Sequence, residues 1–381
     1  MKIREFAVEM WMNRYETQCS HNLAETCVES LTIAELLALA GRTEADLSDL
    51  MSMKLTYGAI EGSPRLRSLI ASLYEQAKPG NVLVTHGAIG ANDLVHRTIV
   101  EPGDRVISVV PTYQQHTAIP ESYGADVRPL RLREENAFLP DLGALRELAT
   151  PGTRLIAVNN PNNPTGSVMN VAMLRDVVAI ARSCGAWLLC DEVYRGTAQE
   201  GDGMTPSIVD LYERGISTGS MSKTFSLAGL RLGWIVAPAD LVHRVTIHRD
   251  YNTISVGMID DYFASLALEA KDDILERSRA ISRTNLSILS DWVDSEPRIG
   301  WVKPRGGTTA MLRYDAPVGS ESFCLGLLQH AGVLLVPGTA FDMEGHVRIG
   351  FCNNETVLRE GLSRMGDYLK RGARAGAQQS A

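Results

Sequence analysis

The sequence lacks several marks of common protein classes. Its six cysteines form no CxxC pair and its eight histidines fall at no ligand spacing, so neither a metal centre nor a disulfide framework is expected. No run approaches the ~18 apolar residues of a membrane span, and residues 1–6 lack the apolar core of a signal peptide. A cytoplasmic protein without membrane association is the expectation. Positive charge is not in excess either. A formal net charge of −8 leaves no electrostatic footprint for nucleic acid, so small molecules or a second copy of the chain are the expected partners. What is present is an ordinary globular composition over 381 residues, enough for a large domain and a smaller one.

Along the chain, apolar β-rich runs at 81–85, 105–110, 126–130, 153–159, 186–190, 215–219 and 233–237 alternate with helical segments such as 171–183. That alternation predicts an α/β fold with a doubly wound, mostly parallel sheet, whose ligand lies beyond the carboxyl ends of the strands. Helical periodicity then dominates 259–270 and 274–293. A short β-containing module follows at 300–302, 308–314, 333–336 and 346–350, closed by a helix over 356–369. The expected organisation is an amino-terminal arm or lid contributing to the small domain (1–45), a large domain (46–284), a small α+β domain (285–370) and an unstructured tail (371–381).

The most informative stretch is 220–234, where Lys223 stands among Ser220, Ser222 and Thr224, with Arg231 eight residues on. A hydroxyl-rich, cation-flanked and partly buried setting is expected to lower the lysine pKa, favouring condensation with an aldehyde. Hydroxyls and Arg231 suit a phosphate, and together they describe a seat for pyridoxal phosphate held as a Schiff base. Gly87, Ala88 and Ile89 open a helix after a strand, where small residues and free backbone N–H groups receive an anion. Asn163 closes another strand, either as a turn residue or as an amide donor to a ligand oxygen. Asp191 ends a buried strand, either starting a loop or partnering a pyridinium nitrogen, with Tyr194 three residues on to contact a ring oxygen. Tyr113 is either a core aromatic or a ring-stacking one. Arg348 lies in an apolar strand, and its fork suits a substrate α-carboxylate.

With these residues in place, the chain resembles the class I and II aminotransferases, the fold type I pyridoxal phosphate enzymes, along nearly its whole length. The resemblance implies that Lys223 is the Schiff-base lysine, Asp191 the pyridinium partner, Asn163 and Tyr194 the ring-oxygen contacts, and Tyr113 the stacking aromatic. It also implies that Tyr57 reaches the cofactor phosphate of a neighbouring subunit in a homodimer with shared active sites. The amino terminus, acid-rich over 9–16 and 21–30, is similar to the oxygen- and pyridoxal-phosphate-dependent L-arginine oxidases and hydroxylases, with the capreomycidine synthases more distant. That likeness implies L-arginine as substrate, O2 as co-substrate and a natural-product role. Glu16 or Glu25 would pair with the guanidinium, and His21 is the nearest imidazole. Some arginine hydroxylases carry an acid where Ser220 stands, and one carries a histidine where Cys27 lies. Conventional transamination with a 2-oxo acid, and elimination with ring closure on a hydroxylated arginine, are the alternatives. A non-enzymatic sensor is disfavoured, because residues 1–50 have neither the charge nor the length for a DNA-binding domain beside the lid.

Overall fold

The structure, a computed structural model, describes residues 2–379, with side chains described over 2–371 apart from position 49. In chain order the strands are β1 (His21–Asn22), β2 (Val82–Thr85), β3 (Arg105–Val110), β4 (Asp126–Arg131), β5 (Thr153–Asn159), β6 (Trp187–Asp191), β7 (Gly215–Ser220), β8 (Gly233–Val236), β9 (Ile299–Trp301), β10 (Thr309–Tyr314), β11 (Val333–Leu334), β12 (Val336–Pro337) and β13 (His346–Gly350).

Seven of them form the central sheet in the order β2-β8-β7-β6-β5-β3-β4. β8 runs antiparallel to both neighbours, and the other neighbouring pairs are parallel. Helices cover both faces, so the inner strands are buried on both sides; β5 and β6 carry apolar residues at successive positions, whereas β7 buries Ser217, Thr218 and Ser220. Strand period still sorts the side chains. Leu155 and Ala157 of β5 join one core cluster with Leu94 and Val95 of helix Gly87–Ile99, whereas Ile156 and Val158 join another with Leu174 and Val177 of helix Val171–Cys184. Local signals set the limits of that second helix. The Asn170 side chain accepts from Met173 N at 2.9 Å, and Gly185 takes the left-handed conformation beyond the last turn.

The second sheet is antiparallel, in the order β12-β13-β10-β9, and packs with helices Lys271–Ser295, Ser320–Ala331 and Glu355–Gln379. Val8, Trp11, Leu23, Ala24 and Val28 from the amino terminus belong to the same hydrophobic cluster. The final helix is longer than the expected 356–369; the unstructured tail expected at 371–381 falls mostly outside the described side chains. Among the described residues no helix is long and apolar enough to cross a membrane.

Between the two sheets runs an irregular strap, residues 23–31, hydrogen-bonded to both sides. Leu23 N donates to Leu334 O (3.0 Å), Gly350 N to Leu23 O (2.7 Å) and Glu29 N to Cys352 O (2.9 Å), all in the small module. Val28 N donates to Lys223 O (3.4 Å) and Leu31 N to Ser226 O (3.0 Å) in the large one. Gly350 permits this close approach, since a Cβ there would lie 1.6 Å from the Glu25 carbonyl oxygen. Gly350→Ala must therefore push the strap aside. Its urea midpoint should fall by the equivalent of about 1–3 kcal/mol, the usual cost of overpacking.

Candidate active site

Parallel strands deliver their carboxyl ends to one edge of the sheet, and the candidate residues cluster there. Asn159, Asp191 and Thr218 are aligned in one row across β5, β6 and β7. Asn159 ties two loops together, donating from Nδ2 to Asp191 O (2.7 Å) and accepting at Oδ1 from Asn163 N (2.6 Å). Ser220 ends β7, and Ser222 and Lys223 follow in the turn beyond it.

Asp191 is buried, and its carboxylate is held by neutral donors. Asn92 Nδ2 reaches Oδ2 at 2.9 Å and Val193 N reaches Oδ1 at 3.2 Å. The Asn92 amide is itself oriented by Thr218 Oγ1, which donates to Asn92 Oδ1 at 2.8 Å. His116 Nε2 lies 3.6 Å from Oδ2, with His96 behind it at 3.4 Å. Burial, and then the charge of His116, hold His96 well below the ordinary histidine pKa. A carboxylate held this way is suited to a protonated ring nitrogen.

At the start of helix Gly87–Ile99, Gly87 has φ +66°, and a Cβ there would lie 3.2 Å from Arg231 Nη2. The glycine therefore leaves a cradle between the helix N-terminus and a guanidinium, a favourable seat for phosphate. Ser220 and Ser222 are buried beside it and line the same cavity as Ala88, Ile89 and Arg231.

Arg348 is 2% exposed on β13. Nη1 donates to Asn163 Oδ1 (3.3 Å), Nη2 donates to Ala24 O (2.9 Å), and its guanidinium lies 5.3 Å from the Phe341 ring centroid. Nε is buried with no partner. Burial lowers its pKa, partly offset by Tyr194, Tyr113 and Glu9. A guanidinium given only neutral hydrogen-bond partners is poised for an incoming anion.

All of this surrounds a cavity of about 430 Å³, roofed by Val8, Glu9, Met12 and Glu16 of the first helix and its end, and by Ala24–Cys27 of the strap. Tyr113 donates to Glu9 Oε1 at 2.8 Å. Burial and then Glu9 push the Tyr113 phenol far up. Lys223 Nζ donates to Thr26 Oγ1 at 2.5 Å and lies 3.8 Å from Cys27 Sγ. The expected lowering of its pKa is not found. Burial pulls it down, but Cys27, Tyr194 and Glu25 outweigh both burial and Arg348, and the net direction is up.

Thus the sequence-derived residues Ala88, Ile89, Tyr113, Asn163, Asp191, Tyr194, Ser220, Ser222, Lys223, Arg231, Arg348, Glu16 and Glu25 all line one cavity, with Gly87 at its lip. Tyr57 does not line it; it is 78% exposed. His21 is not brought in either. It is buried on β1, hydrogen-bonded to Ser20 Oγ and Glu360 Oε2, each at 2.9 Å. Glu9, Thr26 and Cys27 lie in the acid-rich segments 9–16 and 21–30 expected to form the lid, but no individual role was assigned to them, and Asn92 and His116 were missed as support. The signals for those two were that Asn92 follows Ile89 by three residues on the same helix and that His116 follows Tyr113 by three.

Comparison with known proteins gives the family. Residues 34–365 match the family described as aminotransferase class I and II. Capreomycidine synthase of Streptomyces vinaceus is 32% identical over 372 residues, 96% of this chain and 94% of that protein. The crystal structure of a PLP-dependent aminotransferase from Streptococcus suis superposes with a TM-score of 0.95 at 43% identity, covering 98% of this chain and 99% of that one. That of the PLP-dependent cyclase OrfR gives 0.90 at 30%, covering 97% and 98%. Removing the fork at Arg348 tests the site. Arg348→Gln should raise the apparent Kd for amino acids roughly 10- to 100-fold, read from the cofactor absorption band on titration, while leaving cofactor retention in place.

Proposed function

The chain belongs to the aminotransferase class I and II family and is a pyridoxal-phosphate-dependent enzyme of amino acids; from that premise we propose that it acts on a guanidinium-bearing amino acid, eliminating a side-chain hydroxyl and closing a ring. One observation carries the substrate class. Besides Asp191 and the neutrally partnered guanidinium of Arg348, the cavity is lined by three further carboxylates, Glu9, Glu16 and Glu25, all from the amino terminus. An amino acid with a cationic side chain matches both ends. The reaction type is favoured by the near-complete span of the likeness to capreomycidine synthase and to a cyclase.

The residues fit the cofactor through the Gly87–Arg231 cradle and the buried Asp191 carboxylate. Bound there, pyridoxal phosphate supplies an electron sink that makes the α-hydrogen acidic. By the family likeness, Asp191 would keep the ring nitrogen protonated, Asn163 and Tyr194 would hold the ring oxygen, and Tyr113 would hold the ring. Arg348 clamps the α-carboxylate. Lys223 would remove the α-proton and pass it to the departing β-hydroxyl, which leaves as water; a guanidino nitrogen then bonds to the same side-chain carbon, and the proton it gives up returns through Lys223 to the α-carbon. Glu16 and Glu25 orient that guanidinium, while the strap and first helix keep bulk water out.

Oxygen-dependent oxidation or hydroxylation of L-arginine, which the amino-terminal likeness suggested, uses the same first proton transfer, and so does transamination. The homodimer belongs to the same proposal. Met51, Leu55, Tyr57 and Tyr251 are 86%, 79%, 78% and 89% exposed, an apolar set suited to a second copy, whose cofactor phosphate Tyr57 would reach by the family likeness.

With holoenzyme and β-hydroxy-L-arginine, mass spectrometry should show a product lighter by one water, formed equally under nitrogen and without a 2-oxo acid. Oxygen uptake with L-arginine, or a strict need for a 2-oxo acid, would replace this reading with oxidation or transamination respectively. The pH dependence of binding is a second check. Burial raises the Glu25 carboxyl pKa, Lys223 opposes the rise and Glu16 adds to it. A cationic side chain favours the ionised form, so affinity should strengthen as pH rises through that raised pKa, with proton release on binding. Glu25→Gln should flatten this dependence while retaining binding of uncharged amino acids, as measured by calorimetry in buffers of different ionisation enthalpy.

A further inference from the structure

Lys223 must be a free amine when it takes the α-proton, so it needs a resting place close to where it acts. We propose that Thr26, on the strap, is that resting place: a positioning residue whose hydroxyl docks the free amine of Lys223 and holds it in line for proton transfer. The inference rests on the reading of Lys223 as the base. It adds a partner for that amine from a segment more than about 190 residues away in sequence.

The geometry is specific. Nζ donates to Thr26 Oγ1 at 2.5 Å, and Cys27 Sγ is 3.8 Å away, so both of its hydrogen-bond partners are side chains of the strap and the nearer one is a hydroxyl. Thr26 is fixed from both sides. Its carbonyl accepts from the buried Thr308 Oγ1 at 2.7 Å, and two residues on, Val28 N donates to the carbonyl of Lys223 itself at 3.4 Å. A hydroxyl suits this task better than a carboxylate. It accepts one N–H and leaves the lone pair of the neutral amine free for the α-proton. The ammonium that results keeps the same partner, so proton transfer needs little rearrangement. A carboxylate in that position would hold the amine as a permanent ammonium and disable the base.

Thr26→Val removes the hydroxyl at nearly constant shape, and Thr26→Ser restores it. In the cofactor-free protein, acylation of Lys223 by acetic anhydride across a pH series, quantified by peptide mass spectrometry, reads the proton affinity of the amine. Losing an acceptor that favours the charged form should move the Thr26→Val profile to lower pH, with Thr26→Ser following wild type. In the holoenzyme, exchange of the substrate α-hydrogen with heavy water should slow about tenfold in Thr26→Val at unchanged KM, and recover in Thr26→Ser. Coincident acylation profiles for wild type and Thr26→Val, or Thr26→Ser behaving as Thr26→Val, would overturn the docking role. If wild-type holoenzyme exchanged no α-hydrogen with any amino acid, the assignment of Lys223 as base would fall, while the acylation profiles would still decide whether Thr26 docks the amine.

Discussion

The strap of residues 23–31 is the constraint on which the site depends. Its backbone is hydrogen-bonded to the small module at Leu334, Gly350 and Cys352 and to the large one at Lys223 and Ser226. Each bond is modest, about 1 kcal/mol net, but they fix one backbone between two sheets, and side chains on it inherit that placement. Ala24 thereby offers its carbonyl to Arg348, Thr26 meets Lys223, and Glu25 joins the cavity wall. Without the strap, the two sheets would present half a site each.

The electrostatics follow from what the strap encloses. Charges are expensive to bury, yet Arg348 is buried among a carbonyl, an amide and an aromatic ring, with one nitrogen unpartnered. Lys223 donates to a hydroxyl, with the Cys27 sulfur further off, and Asp191 is held by an amide and a backbone N–H, with His116 further off. These groups are incompletely compensated within the chain, and under the proposed reading a zwitterionic substrate and an anionic, protonated-ring cofactor would complete them. The fold tolerates the cost because large hydrophobic clusters on both faces of the sheet and in the small module stabilise it elsewhere.

Much of this was legible in the sequence because it is local. The strand limits follow apolar runs closed by turn residues, and Asp191, Asn163, Ser220 and Lys223 sit at or just beyond strand ends, where a doubly wound sheet exposes its ligand site. Failures came where tertiary contacts decide. Lys223 was judged by its sequence neighbours, the hydroxyls and Arg231, whereas the groups that set its proton affinity are Cys27, Tyr194 and Glu25. His21 was placed near substrate by segment alone, but its pairing with Val333 on β11 carries it to Glu360 instead. Glu9 and Thr26 lie in short segments whose periodicity says nothing about which distant side chain they meet.

One property of the strap extends beyond this chain. The acid proposed to recognise the side chain, Glu25, and the hydroxyl proposed to dock the lysine, Thr26, are adjacent residues on a single piece of backbone. A segment swap from another enzyme of this scaffold would transplant both together, so a new substrate preference would arrive already coupled to a new way of handling the proton. On the proposed roles, selectivity and acid–base timing would be inherited as one cassette.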